Sequence, residues 1–177
     1  MRSRIAFPGM LLVLAVPFAS PPPCGATEGD VAGVIARFQE KDPGMAEVFA
    51  RARGYAVFPT VGKGGIGIGG AHGKGYVYEE GRLIGRSTLT QVTIGLQLGG
   101  QAYSEVVFFE SDAALRNFEK GHLKLDAQAS AVALNARASV DLAYRNGVAI
   151  VTMAKGGLMY EASVGGQKFS FHPIDSQ

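Results

Sequence analysis

Residues 54–75 read GYAVFPTVGKGGIGIGGAHGKG, and the reading of this stretch decides the fold. It starts as an apolar strand, Tyr55-Ala56-Val57-Phe58, and passes into Gly65-Ile66-Gly67-Ile68-Gly69, where glycine takes every second position. Side chains of an extended strand alternate between two faces, so one face carries isoleucine and the other carries nothing. Glycine loses more backbone entropy on folding than other residues and is avoided in strand interiors. Repeated in phase, it points to close approach by another backbone, a crossing strand or a flat ligand. Gly65, Gly67 and Gly69 are therefore read as close-packing positions, as are Gly95 and Gly99 in the related stretch TIGLQLGG. Gly73 is read as a loop glycine, so Gly67→Val is expected to damage folding more than Gly73→Ala. Nothing in the stretch is catalytic; it reads as a binding scaffold.

Upstream the pattern is helical. Val31, Val34, Ile35 and Phe38 recur at i, i+3, i+4 and i+7 over residues 28–42, with Glu28 and Asp30 where a helix N-terminus favours negative charge. Asp42-Pro43-Gly44 interrupts, and Met45, Val48, Phe49 and Ala52 repeat the spacing in a second short helix.

Downstream, strands are expected near 55–60, 64–71, 74–79, 82–87, 91–99 and 102–110, with glycine turns at 62–65, 70–75 and 80–82. Ser111-Asp112 caps a helix that ends at Gly121. Residues 123–142 alternate small and polar side chains and read as a bent strand, although their alanine content would also suit a helix. Asn146-Gly147 signals a hairpin into Val148–Val151, and Leu158-Met159-Tyr160 with Lys168–Phe171 reads as a final hairpin. Short turns join these strands and no βαβ rhythm is present. The expected class is α+β: a curled antiparallel sheet or barrel of glycine-rich strands, with N-terminal helices and one inserted helix packed on it.

The 177 residues suit a single domain. Arg2 and Arg4 precede an apolar run from Ile5 to Phe18, followed by Ala19, Ser20 and Ala26, the layout of a secretory signal peptide. Residues 1–26 are expected to be cleaved, leaving 27–177 as an exported, periplasmic or envelope-associated domain. Cys24, the one cysteine, follows Pro21-Pro22-Pro23, which is wrong for a lipobox, so lipidation there is not expected. Removing 1–26 takes away two basic and no acidic residues, leaving 15 of each sign. A neutral domain has no built-in attraction for nucleic acid.

The stretch Gly65–Gly70 contains G-x-G-x-x-G, but a dinucleotide fingerprint must open a helix, and here a strand follows. Gly73-Lys74 lacks the remainder of a phosphate-binding loop. His72, His122 and His172 are fifty residues apart without carboxylate or thiol partners at ligand spacing. Ser104 and Glu105 fall on opposite faces of a strand. No catalytic residues, metal or cofactor are expected.

The order Gly64–Gly70, Gly73-Lys74-Gly75, Gln91-Val92-Thr93-Ile94-Gly95-Leu96-Gln97-Leu98-Gly99-Gly100-Gln101, Tyr103–Phe109 and Lys155–Ser163 resembles the SYLF-domain family in its secreted bacterial branch, over about residues 28–172. The resemblance implies a lipid-binding, non-enzymatic module with a phospholipid membrane as partner. Eukaryotic members carry a tryptophan-proline segment where this chain has Arg86-Ser87-Thr88-Leu89-Thr90. The leader would also direct the chain away from the cytosol, so actin binding is not carried over. Lys63 and Lys74, flanking the glycine strand, are the expected head-group contacts. The face of Val31, Val34, Ile35 and Phe38 is the expected apolar anchor if exposed. A structural or protein-interaction module of the cell envelope, without a lipid ligand, is the alternative.

Overall fold

The computed structural model describes residues 27–95, 100–123, 125, 130–155 and 162–174. The proposed leader with Cys24, Gly99 and the Leu158-Met159-Tyr160 stretch lie outside the described residues.

Thr27 starts helix α1 (Glu28–Lys41) with a capping box: its hydroxyl accepts from the Asp30 N–H, and the Asp30 carboxylate accepts from the Thr27 N–H at 2.8 Å. A tight turn leads to α2 (Met45–Arg51). Next come β1 (Gly54–Glu79), β2 (Arg82–Gly95), β3 (Gly100–Phe109) and α3 (Asp112–Glu119). The chain ends with β4 (Ser130–Ala133), a single turn α4 (Ala138–Asp141), β5 (Val148–Ala154), β6 (Ala162–Ser163) and β7 (Gln167–Pro173). The seven strands form one sheet in the order β6-β4-β5-β3-β1-β2-β7. All pairs are antiparallel except β4 with β5. The architecture is α+β and the sheet is curled but open, not a barrel.

The three strands expected within 55–79 are one element that doubles back on itself. Its first limb pairs with β3, from Gly54↔Phe109 to Gly64↔Gly100, and its second with β2, from Gly67↔Gly95 to Glu79↔Arg82. The limbs lie against each other: the Glu80 N–H donates to the Arg53 carbonyl at 3.2 Å. A side chain at Gly54 would sit 2.7 Å from the Tyr78 carbonyl oxygen, and one at Gly75 would meet the Val57 carbonyl and the Phe58 ring. The reversal falls in the glycine run, where Gly65 has a φ of +153° that suits glycine. The expected turn at 70–75 is thus an error. Gly73 and Gly75 are buried strand residues, and a side chain at Gly73 would stand 2.8 Å from the Val61 side chain. At the other end Glu80 and Gly81, at φ +48° and +78°, make the two-residue turn from β1 to β2.

One further expectation is corrected. Only Ser130–Ala133 within 123–142 is strand among the described residues, and Ala138–Asp141 is helical. The first limb of the expected final hairpin, Leu158-Met159-Tyr160, lies outside the described residues; its second limb, in β7, pairs with β2, while β6 pairs with β4 at the far edge. Asn146-Gly147 does make the expected tight turn, with reciprocal Arg145–Val148 backbone bonds.

Each face of the sheet has its own core. The outer face presents Val57, Val106, Phe108 and Val151 to α1, α2 and α4. Val31, Val34 and Phe38 are at most 1% exposed there, and Ile35 is half-buried, so α1 packs on the sheet and cannot serve as a free apolar anchor. The inner, concave face packs Phe58, Leu89, Val107 and Phe109 against Leu115 and Phe118 of α3 and Phe169 of β7.

Candidate functional site

The outer face is covered by helices only over part of its width. Beyond Tyr76, the second limb of β1 with β2 and β7 forms a three-stranded surface that is exposed among the described residues. Directly paired residues share a face, and the register sets them in rows. His72 stands opposite Thr90, and Thr90 opposite Lys168. Lys74 faces Thr88, which faces Ser170; Tyr76 faces Arg86, which faces His172. His72, Lys74, Arg86, Thr90, Lys168, Ser170 and His172 are exposed and Thr88 is half-buried, while the intervening Gly73, Gly75, Ser87, Leu89, Gln91, Gln167 and Phe169 are buried. One row further, opposite Gly70, Val92 is 74% exposed.

This surface carries three fixed cations, two imidazoles and three hydroxyls. No acidic residue occurs anywhere in 70–76, 86–92 or 167–172. Its inner border is fastened by Arg86, whose guanidinium carbon lies 5.8 Å from the centroid of the Tyr76 ring. Tyr76 itself is 8% exposed and belongs to the core beneath α1. Carboxylates gather at the end of β1 instead, where Arg53 pairs with Glu79, Glu80 and Asp112. An open cleft of about 590 Å³ beside them is lined by Phe49, Tyr55, Arg51, Arg53, Glu80 and Glu110.

The two lysines singled out from sequence are not brought together. Lys74 is exposed on the outer, cationic face. Lys63, half-buried on the first limb, pairs with Gln101, two residues from the inward Tyr103, and so stands at the rim of the concave face. Arg86, Lys168 and His172 escaped sequence reasoning because they join Lys74 only through strand pairing. A local signal exists in Lys168-Phe169-Ser170-Phe171-His172, where polar or basic residues alternate with aromatic ones. Among the close-packing glycines, Gly67 and Gly95 face each other in the ladder and Gly69 is buried opposite Thr93. Among the described residues no cluster of three His, Cys, Asp or Glu could hold a metal ion, and no helix is long and apolar enough to cross a membrane.

The concave face has a polar layer of its own. Glu105, fully buried, accepts through Oε2 from Gln167 Nε2 at 3.0 Å. Thr152 is its direct cross-strand neighbour on β5, and Tyr103 lies two residues back along β3. The Glu105 Oε1 and Thr152 hydroxyl oxygens have no hydrogen-bond partner among the described residues. Burial pushes the Glu105 carboxyl up to about 7, the Gln167 hydrogen bond opposing the shift. Burial and the neighbouring Glu105 raise the Tyr103 phenol. Ser104, on the opposite face as its position predicts, donates to the Pro59 carbonyl at 2.8 Å.

Residues 90–173 match the model of the Ysc84 family, described as a Las17-binding protein and actin regulator. These residues supply the last six residues of β2 and all of β3 and β7, and thus one whole strand and the end of a second on the cationic face. The match over 90–173 is to a SYLF domain. SYLF domains are non-catalytic binding modules associated as a family with lipid. A curated relative, "Beta cell expansion factor A" of Aeromonas veronii, is 25% identical over 138 residues, 76% of this chain and 52% of the relative. The chain therefore spans about half the length of that relative. In the structure β1, upstream of the match, stands between β2 and β3 and completes the sheet.

Proposed function

We propose that this SYLF domain is a non-enzymatic lipid-binding module whose exposed β1–β2–β7 face docks on anionic phospholipid surfaces. The observation that carries the reading is the register that sets Lys74, Arg86 and Lys168 on one exposed face with no acidic residue in 70–76, 86–92 or 167–172. Each basic residue held near an anionic bilayer contributes about 1 kcal/mol, fading within a Debye length as salt rises. Thr88, Thr90 and Ser170 add donors for phosphate oxygens, and Val92 supplies an exposed apolar contact at one end of the face. A neutral domain needs such a local patch, since its net charge supplies no attraction.

Export belongs to the same proposal, supported by Arg2, Arg4 and the Ile5–Phe18 run. Membrane surfaces of the cell envelope would then be the target. Flotation of residues 27–177 with phosphatidylglycerol or phosphatidylcholine vesicles tests the binding. Co-flotation is expected with the anionic vesicles at low salt, weakening as salt rises, and equal behaviour with both lipids would refute it. N-terminal sequencing of the protein from fractionated cells tests the export, and a chain starting at Met1 in the cytoplasm would refute that part.

A further inference from the structure

Glu105 is a fully buried carboxyl on the central strand β3, and its one hydrogen bond to a described residue crosses the concavity to the first residue of edge strand β7. We infer that β7 closes over Glu105 as a proton-operated clasp: with Glu105 protonated β7 stays seated with Gln167 bonded to it, and ionisation, whose burial cost outweighs the stronger Gln167–carboxylate hydrogen bond, favours β7 opening to let water in.

The surroundings support this. Facing Glu105 are Phe58 from β1, Thr152 from β5 and Gln167 from β7, whose own cross-strand partner on β2 is Gln91; Phe58, Leu115 and Phe118 of α3 belong to one core. None is charged, and the titratable group beside it is the Tyr103 phenol on its own strand. Oε1 of Glu105 has no donor among the described residues. A neutral carboxyl tolerates such a site far better than an anion, for which burial without a cation is the costliest arrangement. The carboxyl, already raised towards neutrality by burial, thus titrates where proton supply can vary. Any local opening that hydrates Glu105 restores an ordinary carboxyl and so becomes easier as pH rises. β7 is the segment to open, being the sheet edge and the source of the donor.

β7 carries Lys168 and His172 of the exposed face. The clasp therefore regulates the docking surface, and this consequence, unlike the clasp itself, rests on the lipid reading above.

Amide hydrogen exchange of the 27–177 domain without lipid, at pH 5.5 and 8.5 and corrected for intrinsic exchange, tests the clasp. Protection over 168–172 should fall about tenfold or more at pH 8.5, with the amides of α1 unchanged, and Glu105→Gln should abolish the difference. Unchanged protection in the wild type, an equal fall in Glu105→Gln, or an equal fall in α1 would each overturn it. Gln167→Ala provides a second check, since without the donor β7 should be poorly protected at both pH values; protection like the wild type would also overturn the clasp. A parallel flotation with phosphatidylglycerol vesicles separates the two readings. The wild type should lose more binding than Glu105→Gln on going to pH 8.5. PH-dependent exchange without vesicle binding at either pH would leave the clasp standing and sink the lipid proposal.

Discussion

Arg86 lies over the ring of Tyr76, and these cross-strand partners mark the line where the helix-covered core of the sheet meets its bare cationic face. Tyr76 belongs to the core beneath α1; Arg86 belongs to the surface. A cation over an aromatic ring at a partly exposed site is worth about 0.5–1 kcal/mol. Arg86→Ala is expected to lower stability by no more than that while weakening binding to anionic vesicles about fivefold or more, from the loss of about 1 kcal/mol. Thermal melting and flotation of the same variant check both halves. A large stability loss with unchanged binding would place Arg86 in the scaffold instead of the site.

The doubled β1 makes the ranking of glycine substitutions testable. Gly75→Val pushes a branched side chain into the Val57 carbonyl and the Phe58 ring of the opposite limb, and overpacking of this kind costs about 1–3 kcal/mol or more. Gly73→Ala meets Val61 at 2.8 Å and should also destabilise. Gly62→Ala, exposed with nothing within 4 Å, should be neutral or slightly stabilising. Chemical denaturation of the three variants gives the order. Equal midpoints for Gly75→Val and Gly62→Ala would mean that the two limbs do not lie together.

Phe38 is 0% exposed and touches Phe49 edge-on, with ring centroids 6.5 Å apart. Phe38→Ala is expected to cost about 3–5 kcal/mol of stability and to leave vesicle binding unchanged in whatever fraction remains folded. Loss of binding at unchanged stability would return α1 to the role of membrane anchor.

Glu105 links stability to pH with a definite sign. Its folded-state pKa is raised from the model-peptide value of 4.5 to about 7, so between those limits the folded protein holds a proton that the unfolded chain has released. Stability therefore falls as pH rises from about 4.5 to about 7 and levels off above, with a total near 3 kcal/mol for a shift of this size. Glu105→Gln keeps an amide oxygen for Gln167 to bond and removes the titration. It should melt close to wild type at pH 4.5 and above it at pH 8. Parallel melting curves at both pH values would contradict the buried, elevated carboxyl.

Much of this fold was legible in the sequence because local chemistry and burial agree. The Val31–Phe38 spacing, the Ser111 cap of α3 and the Asn146-Gly147 turn each act within a few residues. The path of β1 was not legible. A run of glycines permits a strand interior, a close crossing or a reversal equally well, and only the facing positions of Val57 and Gly75 distinguish them. The pairing of β7 with β2 is also long-range, joining residues some eighty positions apart, and nothing local encodes it. The same cause hid the site: Lys74 could be singled out, but its companions Arg86 and Lys168 reach it only through two strand registers. The apolar stripe of α1 was visible, yet periodicity alone says that a face is buried, not whether protein or lipid covers it.

The central claim is that the β1–β2–β7 face, and not the rim of the concave side, meets the lipid. Flotation with phosphatidylglycerol vesicles at low salt should compare Lys74→Glu with Lys168→Glu, as a double variant, against Lys63→Glu, with folding verified by circular dichroism. Loss of two basic contacts of about 1 kcal/mol each predicts at least about a tenfold drop for the double variant, with Lys63→Glu binding like wild type. Retained binding in the double variant together with loss in Lys63→Glu would contradict the account and move the site to the other face of the sheet.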